Sequence, residues 1–256
     1  MLKKSDFIIP NWPAPANVRS LQTTRNGGVS VGSYTSLNLG SHVQDDPLHV
    51  ARNRQLLSQF VPSEPVWLNQ VHGVEVVDAA NTECVPDADA SFTARNNTVC
   101  VTMTADCLPI LLCDSAGTIV ASIHAGWRSL CDGVIEATVA KILTSTGVNA
   151  GHLMAWLGPA IGPTAFEVGS EVRAQFIAKD AQAEFAFQRQ ANDKWLGNIY
   201  NIATQRLNNL GIIQIYGGQQ EQFCTVTNSA RFFSFRRDTV TGRMATLIWL
   251  TANKQV

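Results

Sequence analysis

The chain has 256 residues, of which 45% are hydrophobic and 15% are charged. Its 19 basic and 20 acidic residues leave a formal net charge of −1, which removes the electrostatic reason to expect a nucleic acid or an anionic membrane as a partner. The high apolar content excludes a disordered chain, and the length suits one large domain. We therefore expect a single domain that spans residues 1–256.

The N-terminus predicts a cytoplasmic protein. Two lysines are followed by three apolar residues before Pro10, which is too short a run for the core of a signal peptide. No apolar run approaches the roughly 18 residues that a membrane helix requires. In the cytoplasm the six cysteines are expected to be thiols or metal ligands, and none of them forms a Cys-x-x-Cys pair.

The first half of the chain predicts one helix and a series of short strands. Asp46 and Pro47 mark a helix start, with an acidic cap and a proline in the first turn. Apolar runs predict strands at 66–68, 74–77, 99–104, 109–113 and 118–124. The last two strands flank a turn and are expected to form a central hairpin that ends at His124.

The second half alternates helices and strands without a regular period. Apolar stripes predict helices over 129–145, 170–178 and 199–209, and strands are predicted over 153–157, 212–216, 231–236 and 245–250. The chain has no Gly-x-Gly-x-x-Gly motif and no phosphate-binding P-loop. This pattern favours the α+β class over a Rossmann fold.

Two histidines and one cysteine are candidate metal ligands. His72 and His124 each end or follow an apolar strand and precede a small residue, and Cys107 lies at the junction of two predicted strands. Two imidazoles and a thiolate suit zinc, or copper less well, and three protein ligands leave the fourth tetrahedral position open. Their spacing matches no compact zinc motif. A buried small Cys107, with histidines that satisfy turn carbonyls, explains the same residues.

The same residues also fit a site without metal. Cys107 has the arrangement of a nucleophile, with His124 as its base and Asp106 or a backbone carbonyl to orient the base, as in cysteine hydrolases. A third class is a binding module that uses the pocket to sense a ligand. Metal content distinguishes the first class from the second, and turnover distinguishes both from the third.

Several arginines lie beside turns. Arg25 precedes the glycine pair at 27–28, Arg128 follows His124 closely, and Arg236 and Arg243 flank a polar turn before the last strand. An arginine beside a glycine turn can bind phosphate or carboxylate through its planar fork. The alternative for each of them is a salt bridge to one of the 20 carboxylates.

A set of motifs occurs in order along the chain from about residue 18 to 250. These motifs are Thr23-Thr-Arg-x-Gly-Gly-Val-Ser, Ser36-Leu-Asn-Leu-Gly, Gln70-Val-His-Gly, Thr104-Ala-Asp-Cys-Leu-Pro, His124-Ala-Gly-Trp-Arg, Leu157-Gly-Pro-Ala-Ile-Gly-Pro, Phe166-Glu-Val-Gly, Phe233-Ser-Phe-Arg-Arg-Asp and Thr241-Gly-Arg-Met. With these motifs the chain resembles the bacterial laccase-domain proteins, formerly called polyphenol oxidases and now described as zinc-dependent purine nucleoside phosphorylase/adenosine deaminases.

The resemblance implies a single α+β domain of packed mixed sheets flanked by helices, similar to the catalytic domain of cytotoxic necrotizing factor. It implies zinc on His72, Cys107 and His124, with copper possible by substitution. Five histidines are too few for a multicopper oxidase. The implied activities are phosphorolysis of adenosine, inosine, guanosine and methylthioadenosine, and hydrolytic deamination of adenosine.

The roles of the remaining residues are our own predictions within that family. Zinc activates water for the attack on the purine, and the proton shuttle predicted beside it is Asp106. Phosphorolysis needs an anion site in addition. Arg25, Asn38 and Arg128 are the residues predicted to bind phosphate and nucleoside.

Overall fold

Two β-sheets packed face to face form the centre of the structure, a computed structural model that describes residues 2–218 and 220–252. The strands are β1 (Phe7–Ile8), β2 (Val18–Thr23), β3 (Val76–Asp78), β4 (Ala90–Thr93), β5 (Cys100–Thr104), β6 (Leu108–Asp114), β7 (Val120–Ala125), β8 (Leu153–Leu157), β9 (Glu167–Gly169), β10 (Phe187–Arg189), β11 (Lys194–Gly197), β12 (Gln214–Gly217) and β13 (Met244–Leu250). The α-helices are α1 (Pro47–Leu57), α2 (Trp127–Asp132), α3 (Val134–Thr146), α4 (Ser170–Lys179), α5 (Ile199–Asn209), α6 (Gln220–Phe223) and α7 (Phe235–Asp238). Short 3-10 helices cover Lys4–Asp6, Gly32–Tyr34, Ser58–Phe60, Ala79–Asn81, Ala150–His152 and Ala181–Ala186.

The sheets differ in strand order and direction. The larger sheet has the order β12-β8-β6-β7-β4-β3, with parallel pairs at both edges and antiparallel pairs inside. The smaller sheet, β1-β2-β13-β5, is antiparallel throughout. A third, three-stranded sheet has the order β10-β11-β9. Mixed sheets flanked by helices confirm the predicted α+β class.

The core continues through the larger sheet on both of its faces. All residues of β6 are buried, which explains why the part of it before Asp114 is an uninterrupted apolar run. Leu108, Ile110 and Leu112 belong to the core shared with α3 and α5. Leu111 and Cys113 belong to the core shared with the smaller sheet, whose outer face is covered by α1. The protein is therefore layered as helix, sheet, sheet and helices.

Most predicted elements are present within a few residues, including the central hairpin of β6 and β7. Asp46 caps α1, because its side chain accepts a hydrogen bond from the Leu48 amide. The helix predicted over 129–145 is divided into α2 and α3, because Gly133 adopts a left-handed φ of +103°. At 66–68 there is an isolated bridge between Val66 and Cys100 in place of a strand.

The strand predicted over 231–236 is wrong. Three phenylalanines in this segment suit a strand, but Ser234 starts a helical turn there. The Ser234 hydroxyl accepts a hydrogen bond from the Arg237 amide at 3.2 Å, which caps α7. The segment therefore turns toward the end of β5 instead of extending along the sheet.

The six cysteines are all free, as predicted. Burial raises the pKa of Cys100 and Cys113 to about 12, because a low-dielectric core disfavours the thiolate. These two thiols are therefore unreactive at neutral pH.

Within the described part of the chain no helix has both the length and the apolar character needed to cross a membrane. The cytoplasmic location stays a prediction.

The break between α2 and α3 gives a test of the backbone. A Cβ at Gly133 would meet no atom closer than 3.5 Å, so Gly133→Ala acts through its left-handed φ alone. We expect a loss of about 1–2 kcal/mol in the free energy of unfolding, measured by urea titration. Gly151→Ala is the control, since Gly151 has no left-handed φ and its Cβ would meet no atom closer than 3.4 Å. Equal stabilities of the two variants would contradict this account of the break.

Candidate metal centre and its cavity

The structure brings His72, Cys107 and His124 together. Their candidate ligand atoms all lie within 4.8 Å of one another. Cys107 Sγ is 3.7 Å from His72 Nε2, and the centroids of the two imidazole rings are 4.8 Å apart. Three side chains from distant parts of the sequence thus point at a common centre.

Each of the three residues has a different structural support. His124 belongs to β7, opposite Pro109 of β6 in the ladder. Cys107 lies in the short turn where the chain leaves β5 of the smaller sheet and enters β6 of the larger one. His72 lies in a loop with a left-handed φ of +59°. The side chain of Gln70 pins this loop to β5 by exchanging two hydrogen bonds with the Met103 backbone, at 2.8 and 2.7 Å.

Asp89, which sequence reasoning missed, contacts both His124 of β7 and the loop that carries His72. Its side chain is 0% exposed, and its Oδ1 lies 2.7 Å from His124 Nδ1. The same carboxylate accepts hydrogen bonds from the amides of His72 at 3.0 Å and Gly73 at 2.6 Å. It therefore orients the ring of His124 and the loop of His72 together. The signal in the sequence was weak: one aspartate just before a short buried strand.

The charges in this cluster stabilise one another. Burial raises the pKa of Asp89. The hydrogen bond and charge of His124, together with the hydrogen bonds from the loop amides, lower this pKa by more than burial raises it, so the net shift is downward. Burial lowers the pKa of His124, yet the Cys107 thiolate and Asp89 bring it to about 9. Burial raises the pKa of Cys107, and His124 and His72 bring it down to about 6. The thiolate is therefore the favoured form at neutral pH.

These donors fit a metal ion. A tetrahedral zinc with ordinary bond lengths separates its sulfur and nitrogen ligands by about 3.6 Å, which the Cys107–His72 distance of 3.7 Å matches. Asp89 holds Nδ1 of His124, which leaves Nε2 as the ligand atom in the carboxylate–histidine pattern common at metal sites. Gly126 completes the fit, because a Cβ there would lie 2.6 Å from the His72 ring and 3.1 Å from Cys107 Sγ.

The three residues open into a cavity of about 500 Å³, a volume typical of small-molecule sites. Its charged lining consists of three arginines and one carboxylate, namely Arg128, Arg236, Arg243 and Asp106. Its larger apolar lining residues are Trp127, Ile161, Phe166, Ile199 and Phe235. The cavity therefore combines apolar walls with an excess of positive charge.

Asp106 lines the cavity, but both of its carboxylate oxygens already accept hydrogen bonds. The hydroxyl of Thr225 donates to Oδ1 at 2.5 Å, and the amide of Arg236 donates to Oδ2 at 2.6 Å. Asp106 itself has a left-handed φ of +94°. The carboxylate thus fastens the turn that carries Cys107 to the start of α7.

The predicted substrate-binding residues lie in different places. Arg128 lines the cavity, with its guanidinium 4.4 Å from the centre of the Trp127 ring. Arg25 is not among the lining residues, and its guanidinium donates to the carbonyls of Thr35 at 2.8 Å and Ser229 at 3.0 Å. These two hydrogen bonds tie the Arg25 turn to the segments that contain Thr35 and Ser229. A phosphate contact at Arg25 is therefore not part of the site proposed below.

Asn38 also lies outside the cavity lining. It is 0% exposed, and its Oδ1 accepts hydrogen bonds from the amides of Gly40 at 3.0 Å and Arg243 at 2.8 Å. Direct contact with substrate does not follow from this position. Asn38 instead holds the backbone of Arg243, which does line the cavity. In the sequence this arginine is recognisable only as part of a polar turn.

A family described as multi-copper polyphenol oxidoreductase laccase matches residues 19–251. The chain belongs to this laccase family. It is 52% identical over 249 residues to "Purine nucleoside phosphorylase YfiH" of Escherichia coli, covering 96% of this chain and 99% of the relative. It is 51% identical over 245 residues to "Purine nucleoside phosphorylase PA4543" of Pseudomonas aeruginosa, covering 95% and 98%.

A solved structure shares the fold of this laccase-family chain. The crystal structure of Neisseria meningitidis protein NMB0706 superposes with a TM-score of 0.92 at 48% identity, covering 96% of this chain and 100% of that one. The predicted resemblance to the family is thereby confirmed. The expected likeness to the cytotoxic necrotizing factor domain stays a prediction.

The multicopper description of the laccase family does not match the donor count in this member. Across the described residues, His72, Cys107 and His124 form the one cluster of three or more His, Cys, Asp or Glu side chains close enough to share a metal ion. Three donors suit a single ion. The cluster can hold a metal, and its geometry favours one ion over several.

The close contact at Gly126 yields a prediction about metal affinity. Gly126→Ala forces the His72 ring away from Cys107, and we expect the affinity for Zn²⁺ to fall about tenfold or more. The measurement is competition with a chelator of known affinity. Gly73→Ala is the control, because its Cβ would meet nothing closer than 3.5 Å and should leave the affinity unchanged. Equal affinities in the two variants would show that this contact does not shape the site.

Asp89 gives a second prediction. Asp89→Asn keeps the size of the side chain but removes the charge that holds His124 Nδ1, and we expect Zn²⁺ affinity to fall about 10–100-fold. Asp87→Asn, two residues away, is the matched control, since Asp87 is exposed and bonds to Asn69. The same chelator competition measures both. If Asp89→Asn bound zinc as tightly as the control, the orienting role would be wrong.

Proposed function

We propose that the protein is a zinc-dependent purine nucleoside phosphorylase that also deaminates adenosine by hydrolysis. The observation that carries the proposal is the convergence of His72, Cys107 and His124 with three arginines on one cavity. The names of the curated relatives, which match nearly the whole chain, support the phosphorylase activity. The proposed substrates are adenosine, inosine, guanosine and methylthioadenosine.

The lining of the cavity suits both substrates of a phosphorolysis. Aromatic walls such as Trp127 and Phe166 offer flat apolar surface to a purine. Guanidinium groups bind phosphate through charge-assisted hydrogen bonds. In the reaction a phosphate oxygen forms a bond to C1′ of the ribose, the bond from C1′ to the purine nitrogen breaks, and its electron pair leaves with the purine.

The chain's own residues hold the site ready for this chemistry. Zinc bound by the three ligands would supply a Lewis acid and an activated water, the second of which deamination requires. Asp89 holds Nδ1 of His124, and because the pKa of His124 lies at about 9, a metal bound at Nε2 would displace the proton of that nitrogen. Cys107 is already deprotonated near neutral pH, because its pKa lies at about 6. In this proposal Asp106 positions the Cys107 turn, since its oxygens are engaged.

A cysteine hydrolase is the second candidate, and one observation favours it. Cys107, His124 and Asp89 stand in the order of a nucleophile, a base and an orienting carboxylate. In that case Asp89, and not Asp106 as predicted, orients the base. The Cys107–His72 distance and the arginine-rich cavity favour the metal site instead.

Metal content and turnover test the proposal together. Wild-type protein purified without added metal should contain close to one zinc per chain and convert inosine and phosphate to hypoxanthine and ribose 1-phosphate, as followed by chromatography. Cys107→Ala should lose most of both, because water cannot replace the thiolate charge. Cys84→Ala, at an exposed thiol, is the control and should retain both. Full metal retention by Cys107→Ala would refute the ligand assignment.

Alkylation of Cys107 distinguishes the two candidates. A coordinated thiolate is shielded, so iodoacetamide should modify Cys107 slowly in the zinc-bound protein and faster after chelation. A cysteine hydrolase would show labelling and activity that chelators do not change. A covalent acyl intermediate on Cys107, detected by mass spectrometry, would establish the second candidate.

A further inference from the structure

A buried hydroxyl at the end of β5 has no partner in the protein. Thr104 is 1% exposed and lines the cavity of the candidate metal centre. Its Oγ1 makes no hydrogen bond to any described residue. An unpaired buried hydroxyl destabilises a protein unless a ligand or water completes its bonding. The hydroxyl therefore marks a point where a polar group of a ligand is expected.

Arg243 lies at the same end of the smaller sheet as Thr104. Thr104 pairs with Met244 at the start of β13, so the residue before Met244 reaches the same end of the sheet. Arg243 lines the same cavity. One terminal nitrogen donates to the carbonyls of Thr241 at 3.0 Å and Gly242 at 3.1 Å. A guanidinium carries five N–H groups in all. The other two nitrogens of the Arg243 guanidinium have no hydrogen-bond acceptor among the described residues.

The backbone and stem of Arg243 are held in place. The Asn38 side chain accepts a hydrogen bond from the Arg243 amide at 2.8 Å. The aliphatic stem packs against Gly40, where a Cβ would lie 2.8 Å from the Arg243 Cγ. A preorganised arginine loses less freedom when it binds an anion. The buried Asn38 thus acts as a positioning residue for Arg243.

The other two arginines of the cavity are less available. The Arg128 guanidinium lies over the Trp127 ring, and its side chain is exposed to solvent. Arg236 is also exposed, and one of its terminal nitrogens donates to the carbonyls of Ala165 and Glu167 at 3.1 and 3.0 Å. Arg243, by contrast, is partly buried and lines the same cavity as Thr104, whose buried hydroxyl is unpaired.

We propose that Thr104 and Arg243 form the subsite that binds the phosphate co-substrate. The Thr104 hydroxyl and the free N–H groups of Arg243 donate to the phosphate oxygens, at the end of the cavity where β5 leads into the Cys107 turn. The inference rests on the proposed phosphorylase function. It assigns the anion site to residues other than Arg25.

The test uses zinc-loaded protein and inosine phosphorolysis. Arg243→Gln and Thr104→Val should each raise the KM for inorganic phosphate about tenfold, because each loses a hydrogen bond to a charged group, while the KM for inosine changes less than twofold. Thr104→Ser keeps the hydroxyl and should keep the phosphate KM. Arg52→Gln, an exposed arginine of α1, controls for the loss of one positive charge and should leave both KM values unchanged.

Thermal unfolding supplies a readout that does not depend on turnover. Thr104→Val removes an unpaired buried hydroxyl, so its Tm without phosphate should equal or exceed that of wild type. Inorganic phosphate should raise the Tm of wild type and of Thr104→Ser, but not of Thr104→Val or Arg243→Gln. A structural role for Thr104 predicts the opposite result, a lower Tm of Thr104→Val without phosphate.

The outcomes separate this inference from the proposed function. Wild-type protein that turns over no nucleoside but is stabilised by phosphate through Thr104 and Arg243 would refute the phosphorylase and keep the anion site. Active variants whose KM for phosphate and for inosine rise equally would refute the subsite and keep the phosphorylase. Adenosine 5′-monophosphate that binds through these residues more tightly than inorganic phosphate would show a nucleotide site and overturn the co-substrate assignment.

Discussion

The geometry of the candidate metal centre depends on a buried carboxylate, Asp89. Moving this charge out of water is unfavourable, and the hydrogen bonds from His124 and from the amides of the His72 loop offset that cost. Because the same group contacts both the strand and the loop, the two imidazoles are oriented relative to each other before any ligand binds. The third ligand, Cys107, then needs only a short turn to reach them.

That turn is also where the chain passes from one sheet to the other. The site therefore exists only if the two sheets pack in the observed register, and two of its three arginines, Arg236 and Arg243, come from segments near the C-terminal end of the described chain. Asp106 ties the turn to this region through Thr225 and Arg236. The cavity is thus built from pieces far apart in sequence, which is why no local motif encloses it.

The parts of the structure that could be predicted from the sequence are those with a local signal. The apolar runs of β6 and β7 predict the central hairpin. Two histidines before small residues, and a cysteine at the junction of two strands, predict the candidate metal cluster. Asp89 could not be found this way, because its importance comes from what packs around it. The role of Arg25 could not be read from the sequence for a related reason: an arginine beside a glycine turn looks the same whether it binds phosphate or backbone carbonyls. The sequence of 231–236 suits a strand, and only the structure shows that Ser234 caps a helix there.

The place of β13 in the smaller sheet has a consequence for synthesis of the protein. This strand comes after the other strands in the chain, yet it lies between β2 and β5 and hydrogen-bonds to both. On the ribosome, the edges of β2 and β5 that face β13 must therefore stay unpaired until all of the polypeptide between them and β13 has emerged. Such late closure couples distant segments and exposes apolar edges during translation. Chaperone protection of the nascent chain would matter most in that interval.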